Sequence, residues 1–483
     1  MTLPHRGNAR LDAPRAESKA ADVGNENRDI GGQAKMSPDE QSPQSKAIPF
    51  VLRALRHRNY RLFFGGQLIS LTGTWMQGVA QSWLVYRLTG SAVLLGFVAF
   101  ASQIPVFLLS PIGGSTADRY NRRGIVIATQ TTAMFLAFIL AVLTLTGRVQ
   151  VWHIFGLAGL LGVVNAFDIP TRQAFAMDMV GREDLINAIA LNSLMINGAR
   201  MVGPAVAGVL VASIGEGWCF LANGVSYLAV IAGLLMMTGI AETHASRVGS
   251  TIGSIIEGFR YVERTRPVRA LLLVVGLVSL LGVPYAVLMP IFADQILHGG
   301  PRGLGMLMGA SGFGALMGAL LLAAKKGIRG LGHWVAFAAT GFGVSLILFS
   351  FSRSFWLSAA LLLPIGFSMM IGLASSNTLI QSLVPDKLRG RVMALYSMMF
   401  MGMVPFGSLL AGALAHRLGA PATVALGGTA CIAAALVFGL RLPALRRDTR
   451  QIIAALQVAG GEPEEMTGQT SIPVPPVPRN ETA

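Results

Sequence analysis

Cysteine is nearly absent. The 483 residues include two, Cys219 and Cys431, which excludes a disulfide framework and a cysteine-rich metal site. Charge is scarce too. Charged residues make up 13% of the chain, against about 25% in an ordinary globular domain. With 53% hydrophobic residues and a mean hydropathy of +0.59, the composition argues against a soluble enzyme, a nucleic-acid-binding domain or a disordered scaffold. Histidine does not make up for the missing cysteine, because the seven are scattered and none has metal-ligand spacing. No Walker A loop occurs, so ATP is not the direct energy source. No nucleophile or His/Asp cluster stands at a predicted membrane interface, as a lipid-modifying enzyme would need. No catalytic residue, cofactor or metal is expected.

What is present is apolar length. Between 62 and 441 lie twelve apolar segments, from 62–86 and 92–114 to 392–415 and 421–441. Each is about 20 residues long, enough to cross a bilayer core as a helix. The expected fold is an all-α membrane protein. The net charge of +15 would suit nucleic acid, but its distribution does not. Residues 1–50 hold seven basic and seven acidic residues, so the excess lies among the apolar runs. An even number of spans puts both tails on one side. Loops on that side, with their helix ends, carry sixteen Lys and Arg, and loops on the other carry five. The positive-inside rule then predicts cytoplasmic termini.

The division read from the pattern is a disordered cytoplasmic tail (1–50), a six-helix bundle (51–240), a cytoplasmic linker (241–269), a second six-helix bundle (270–441) and a cytoplasmic tail (442–483). In the linker, Ile252, Ile255, Ile256, Phe259 and Val262 share a helical face flanked by basic residues, which predicts an interfacial amphipathic helix. The bundles repeat one another. Shifted by 204 residues, 179–210 falls on 383–414, and Val180, Ala190, Leu191, Ser193, Met195, Gly198, Gly203, Gly208 and Leu210 meet identical residues. Leu95-Gly96 parallels Leu304-Gly305 more weakly.

The loop after the second segment reads Gly114-Ser-Thr-Ala-Asp118-Arg119-Tyr-Asn-Arg122-Arg123. It resembles the signature G-x-x-x-D-R-x-G-R-R of the major facilitator superfamily, with Asn121 in place of the second glycine. The resemblance implies two pseudo-symmetric six-helix bundles with a cargo site between them. It also implies that Gly114, Asp118, Arg119, Arg122 and Arg123 form a cytoplasmic gate, the Asp packing at the start of the eleventh helix, where a carboxylate is favoured. The fifth segment carries Gly203-Pro204 and Gly208. It resembles the family's antiporter motif G-x-x-x-G-P-x-x-G-G, with Ala199 and Ala207 for two of the glycines. Arg58-Asn-Tyr-Arg-Leu-Phe, Gln81-Ser-Trp-Leu-Val-Tyr and Pro170-Thr-Arg-Gln-Ala-Phe are similar to bacterial exporters of the enterobactin-exporter type, a branch that includes siderophore and drug exporters.

Polar residues within the spans point to transport independently. Gln67, Ser70, Thr74, Gln77 and Gln81 form a stripe about 80° wide on the first helix. The stripe predicts a cavity wall or helix–helix hydrogen bonds. Asn165, Asp168 and Arg172 share a face of the fourth helix, and Asp168 and Arg172 form an i, i+4 pair. Asn197 and Arg200 lie on the fifth, with Arg200 near mid-membrane, where a charge is costly and functional by default. It calls for an acidic helix residue or a substrate anion. Asp168 and Arg172 are the candidates for proton coupling, with a permanent ion pair as the alternative. Gln67, Thr74, Gln77, Asn165, Asn197 and Arg200 are candidate cavity residues. Met369, Met370, Met393, Met398, Met399, Met401 and Met403 crowd the tenth and eleventh helices, suiting either varied apolar cargo or plain packing.

The expectation is a secondary active exporter of the bacterial inner membrane. It would move an amphipathic small molecule, siderophore or drug-like, by proton-coupled alternating access. Uptake of a small metabolite and a non-transporting sensor or assembly role are the alternatives. Its partners would be the small-molecule substrate, membrane lipids and the proton. No nucleic acid is expected, and a monomer would suffice.

Overall fold

The computed structural model describes residues 50–181, 183–238, 251–325, 327–328 and 330–458. The expected disordered tail before Phe50 and the chain beyond Val458 lie outside them. Among the described residues there are helices and no strand. A 3-10 turn, Phe50–Arg56, leads into α1 (Arg58–Thr89). There follow α2 (Ala92–Arg119), α3 (Arg122–Leu145), α4 (Val151–Val180), α5 (Leu185–Ile214), α6 (Glu216–Leu235) and α7 (Thr251–Arg264). The second half holds α8 (Arg266–Ile296), α9 (Gly300–Ala324), α10 (Leu331–Phe351), α11 (Phe355–Leu383), α12 (Asp386–Leu418) and α13 (Ala420–Val458).

Eleven of these helices are long and apolar enough to cross a membrane. The other two are α7, with 14 residues, and α1, with 32. α1 misses on composition because its polar stripe dilutes it. It is packed against α5 and α6, so the stripe is largely shielded from lipid. α1 is therefore the twelfth span. Phe50 and Val458 lie at one end of the bundle, the tail side; the opposite end is the far side.

Short connections are locally encoded. The Ser91 side chain accepts from the Leu94 N–H at the start of α2, and Asn121 does the same for Gly124 at the start of α3. Gly215 and Gly419 end α5 and α12 with φ of +91° and +84°, a backbone region that favours glycine. They are separated by the 204-residue repeat itself.

The repeat is equally visible in packing. α2 lies on α4 as α9 lies on α11, and α1 lies on α6 as α8 lies on α13. Between halves, α5 packs on α9 and α12 on α2. α8 breaks the regularity. It contains two π-helical turns (Val278–Gly282 and Phe292–Ile296) around a 3-10 stretch (Val283–Leu288). Pro284 and Pro290 remove backbone donors there, and π-turns in helices are frequent at functional sites.

At the tail side, α7 docks on the second half. Val262 is buried, the Tyr261 hydroxyl donates to the Leu383 carbonyl at 2.9 Å, and Glu257 pairs with Arg391. Ile256 and Phe259, from the expected amphipathic face, remain exposed. α13 continues beyond the apolar run, because Leu442 and Leu445 stay buried and Arg446 reaches His333 on α10.

The tail side of the first half is tied down by one carboxylate. Asp184, just before α5, has no exposed side-chain surface. It is 2.8 Å from His57 Nε2, 2.8 Å from Arg56 and 3.3 Å from Arg53. The hydrogen bond from His57, then the charges of Arg56 and Arg53, hold this carboxyl below its ordinary value of 3.8. A depressed carboxyl contributes stability above its unfolded value and loses it as pH falls through the folded one. Asp184→Asn should therefore lower the melting temperature at neutral pH. The gap to the parent should close as pH falls below 3.8, which a thermal-shift series across pH measures.

Candidate functional site

The first half carries a buried polar network. Asp168, 3% exposed, accepts from Thr129 Oγ1 and Gln130 Nε2 on α3, both at 2.9 Å. Arg172 Nε lies 3.6 Å from the Asp168 carboxylate. The guanidinium makes its short bond elsewhere, donating to Gln67 Oε1 on α1 at 2.7 Å. Two buried atoms of this network, Gln67 Nε2 and Gln130 Oε1, have no hydrogen-bond partner among the described residues. In the second half, the residues 204 positions after Asp168 and Arg172 are Gly372 and Ser376. They line a narrow apolar crevice together with Val278, Phe342 and Met369.

The α1 stripe is occupied within its own half. Gln77 Oε1 accepts from Asn223 on α6 at 2.7 Å. Thr74 donates to the Ser70 carbonyl at 2.9 Å and lies 3.5 Å from the Tyr227 hydroxyl. With Gln67 bound to Arg172, these side chains join α1 to α4 and α6 in this conformation. Asn197 is buried and donates back to the Ser193 carbonyl at 2.8 Å. Asn165 is partly buried and makes no hydrogen bond among the described residues.

Arg200 stands apart. It lies halfway along the 30 residues of α5, about 22 Å from either end at 1.5 Å per residue. Its guanidinium sits over the Trp75 ring of α1, 5.5 Å from the centroid, and reaches Met369 Sδ of α11 at 3.9 Å. No carboxylate pairs with it among the described residues; Asp168 pairs with Arg172 instead. A Cβ on Gly312 of α9 would meet the Arg200 carbonyl at 2.6 Å. The residue is therefore at the contact between halves.

The halves are joined at the far side. A Cβ on Gly305 would lie 2.5 Å from the Pro204 carbonyl and 2.6 Å from Gly208 Cα. A Cβ on Gly96 would lie 2.5 Å from the Ser408 carbonyl and 3.3 Å from Gly412 Cα. Pro204 and Ser408, like Gly208 and Gly412, are 204 residues apart, so two equivalent seams close this end. Gly203 packs within the first half, where its Cβ would meet Trp75 Cβ at 2.6 Å. Beside the seams, the Tyr86 hydroxyl donates to Asp294 Oδ2 at 2.8 Å, joining α1 to α8.

The tail side differs. Among the described residues no hydrogen bond or ion pair crosses between halves on the tail side of Arg200. Arg122 holds Asp178 of α4 through two bonds of 2.9 and 3.0 Å. Arg123 donates to the Leu234 and Leu235 carbonyls of α6. Asp118 makes one contact of 3.4 Å, to Arg122 within its own half, and Arg119 is exposed without a partner among the described residues. Nothing lies within 4 Å of a Cβ built on Gly114. The start of α12 is occupied separately, by Asp386 with Arg389 and Arg391 with Glu257.

Sequence reasoning did not single out Trp75, Thr129 or Gln130, and it met Tyr86 only as the end of an exporter-like stretch. The adjacent polar pair Thr129-Gln130 in an otherwise apolar span was a usable signal. Trp75 and Tyr86 look like ordinary aromatic packing until their partners are seen.

Two helical bundles that meet at one end, with an unpaired cation at mid-depth between them, define a membrane carrier. The chain belongs to the transmembrane secretion effector family, which matches residues 51–464. It is similar to the Staphyloferrin A transporter of Staphylococcus aureus, 28% identical over 383 residues, covering 78% of this chain and 95% of that one. The Multidrug efflux pump Tap of Mycolicibacterium fortuitum is 27% identical over 355 residues, covering 71% and 86%. A solved POT family transporter in complex with a thioalcohol-conjugated peptide has a TM-score of 0.67 at 11% identity, covering 80% and 96%; this likeness is one of fold. The protein is a major facilitator transporter.

Proposed function

We propose that this transporter is a proton-driven exporter. It moves an amphipathic small molecule outward across the bacterial inner membrane by alternating access. The observation that carries the reading is the asymmetry of the contact between halves. The far side is closed by two glycine seams and the Tyr86–Asp294 bond, while Asp118 and Arg119 at the tail side engage nothing in the second half among the described residues. Basic residues concentrate on the tail side, which favours the cytoplasm there. In this conformation Arg200 would then be approached from the cytoplasm, one of the two states that alternating access needs; the outward direction is supported by the likeness to the efflux pump Tap. One chain holds both halves, so a monomer suffices, with lipid around it. Gln67, Thr74, Gln77, Asn165 and Asn197 are assigned to the walls and moving joints of the cavity. Asp168 with Arg172 is assigned to the proton.

When the tail side closes, Asp118 would meet the start of α12. A carboxylate at a helix N-terminus contributes about 1–2 kcal/mol in favourable geometry, a factor of roughly 5–30 in a two-state equilibrium. Asp118→Asn should lower proton-driven uptake into inverted vesicles, which is the export direction, by about that factor. Its melting temperature should stay unchanged, because its one bond here is the weak contact to Arg122. Normal efflux from this variant would remove the gate assignment, and absence of cargo counterflow in sealed vesicles would remove the exporter reading.

A further inference from the structure

We propose that the cargo carries an oxyanion, a carboxylate above all, and that Arg200 receives it between Trp75 and Met369. This rests on the exporter reading for direction of movement but not for binding itself. A charge at mid-membrane ordinarily finds a counter-charge. Arg200 lies at that depth with a π face at 5.5 Å and a thioether at 3.9 Å beside it, and with buried Tyr285 of α8 in electrostatic reach. None of the three is a carboxylate. Ring and thioether stabilise a guanidinium without neutralising it, so its charge and most of its five donors are unspent. The buried carboxylate that could have answered it, Asp168, already accepts from Thr129 and Gln130 and faces Arg172. The counter-charge is therefore missing from the described chain.

The surroundings suit a particular kind of anion. A guanidinium takes a carboxylate in two parallel bonds. The Trp75 ring offers a flat apolar face beside it. Met369, which is flexible, both touches Arg200 and lines the apolar crevice of the second half with Val278 and Phe342. An anionic head attached to an apolar body meets a matching surface at each end. Trp75 and Met369 also belong to different halves. When the halves move, Arg200 exchanges one of these two neighbours, so a bound anion is held differently in the two conformations. Differential affinity of this kind is what lets a ligand shift an equilibrium between states.

The test is equilibrium binding to the purified full-length protein in neutral detergent. The probes are 2-naphthylacetate and its methyl ester, which differ in charge but hardly in shape, and a second pair made of decanoate and methyl decanoate. The wild-type protein should bind at least one acid about tenfold or more tighter than its ester. Arg200→Gln should reduce that preference to about twofold or less, and Arg200→Lys should keep most of it. Trp75→Leu should weaken the naphthyl acid and ester alike, and it carries the test if Arg200→Gln does not fold. The proposal is overturned if acid and ester bind wild type equally, if the preference survives Arg200→Gln, or if neither acid binds below millimolar concentration. It is also overturned if dioleoylphosphatidylglycerol displaces the acid stoichiometrically, which would make the site a lipid headgroup site. Vesicle counterflow separately decides the exporter reading, so the two failures are distinguishable.

Discussion

Gly305→Leu should cut transport about 5- to 150-fold while the protein still folds and reaches the membrane. The argument starts from distance. A Cβ at Gly305 would stand 2.5 Å from the Pro204 carbonyl and 2.6 Å from Gly208 Cα, where carbon atoms pack at about 3.5–4.0 Å. Both obstacles are backbone, so no side chain can swing aside. The helices must separate, and a leucine forces them further than an alanine. Overpacking of this sort costs about 1–3 kcal/mol. The contact lies between α5 and α9, that is, between halves, and the internal packing of each half is untouched. The whole cost therefore falls on the conformation in which the far side is closed, and the equilibrium shifts by the factor given. A membrane-impermeant maleimide applied from the far side should label Trp75→Cys in the Gly305→Leu background but not without it. Gly96→Leu, at the equivalent seam, should behave alike. Gly78→Leu on α1, where a Cβ meets nothing within 4 Å, is the control and should transport normally. Full transport by Gly305→Leu would mean that this seam does not have to close.

The seams show how far the sequence reaches. The twelve apolar lengths, the loop charges and the repeat follow from bilayer thickness and from 204-residue self-similarity. Gly208 was visible as a motif glycine and Gly96 and Gly305 as repeat partners. What they touch was not visible, because contact between halves depends on how two bundles lean together. The α1 stripe makes the same point. Angular spacing placed Gln67, Thr74 and Gln77 on one face, but it could not tell whether that face met water or the polar residues of α4 and α6. Arg200 was legible as a costly charge, and Asp168 was its nearest acid in helical order. The structure pairs Asp168 with α3 and Arg172 instead. Trp75 and Met369 stand 125 and 169 positions from Arg200 in the chain, and no periodicity joins them.

Asp168→Asn should abolish proton-driven accumulation while sparing exchange of cargo down its own gradient. Arg172 donates its hydrogen bond to Gln67 at 2.7 Å and faces Asp168 only as an ion pair at 3.6 Å. The network also leaves Gln67 Nε2 and Gln130 Oε1 buried without partners among the described residues. Incompletely satisfied buried networks are costly, and on the proposed proton coupling this one would have a second arrangement. A protonated carboxyl is a donor; Gln130, by turning its amide, would present its idle oxygen to that proton, and Arg172 would then be released from Asp168. The asparagine of the variant would keep the shape but could not change charge, so the network would no longer respond to pH. In inverted vesicles the expected result is at least about a tenfold loss of pH-driven uptake, with counterflow of labelled cargo within about twofold of the parent. Asp168→Leu should do more. Both variants remove the charge beside Arg172, but the leucine also leaves Thr129 and Gln130 without their acceptor, so its melting temperature should fall further than that of Asp168→Asn. If Asp168→Asn instead accumulates cargo under a pH gradient as the parent does, Asp168 and Arg172 form a permanent ion pair, and the proton travels by another residue.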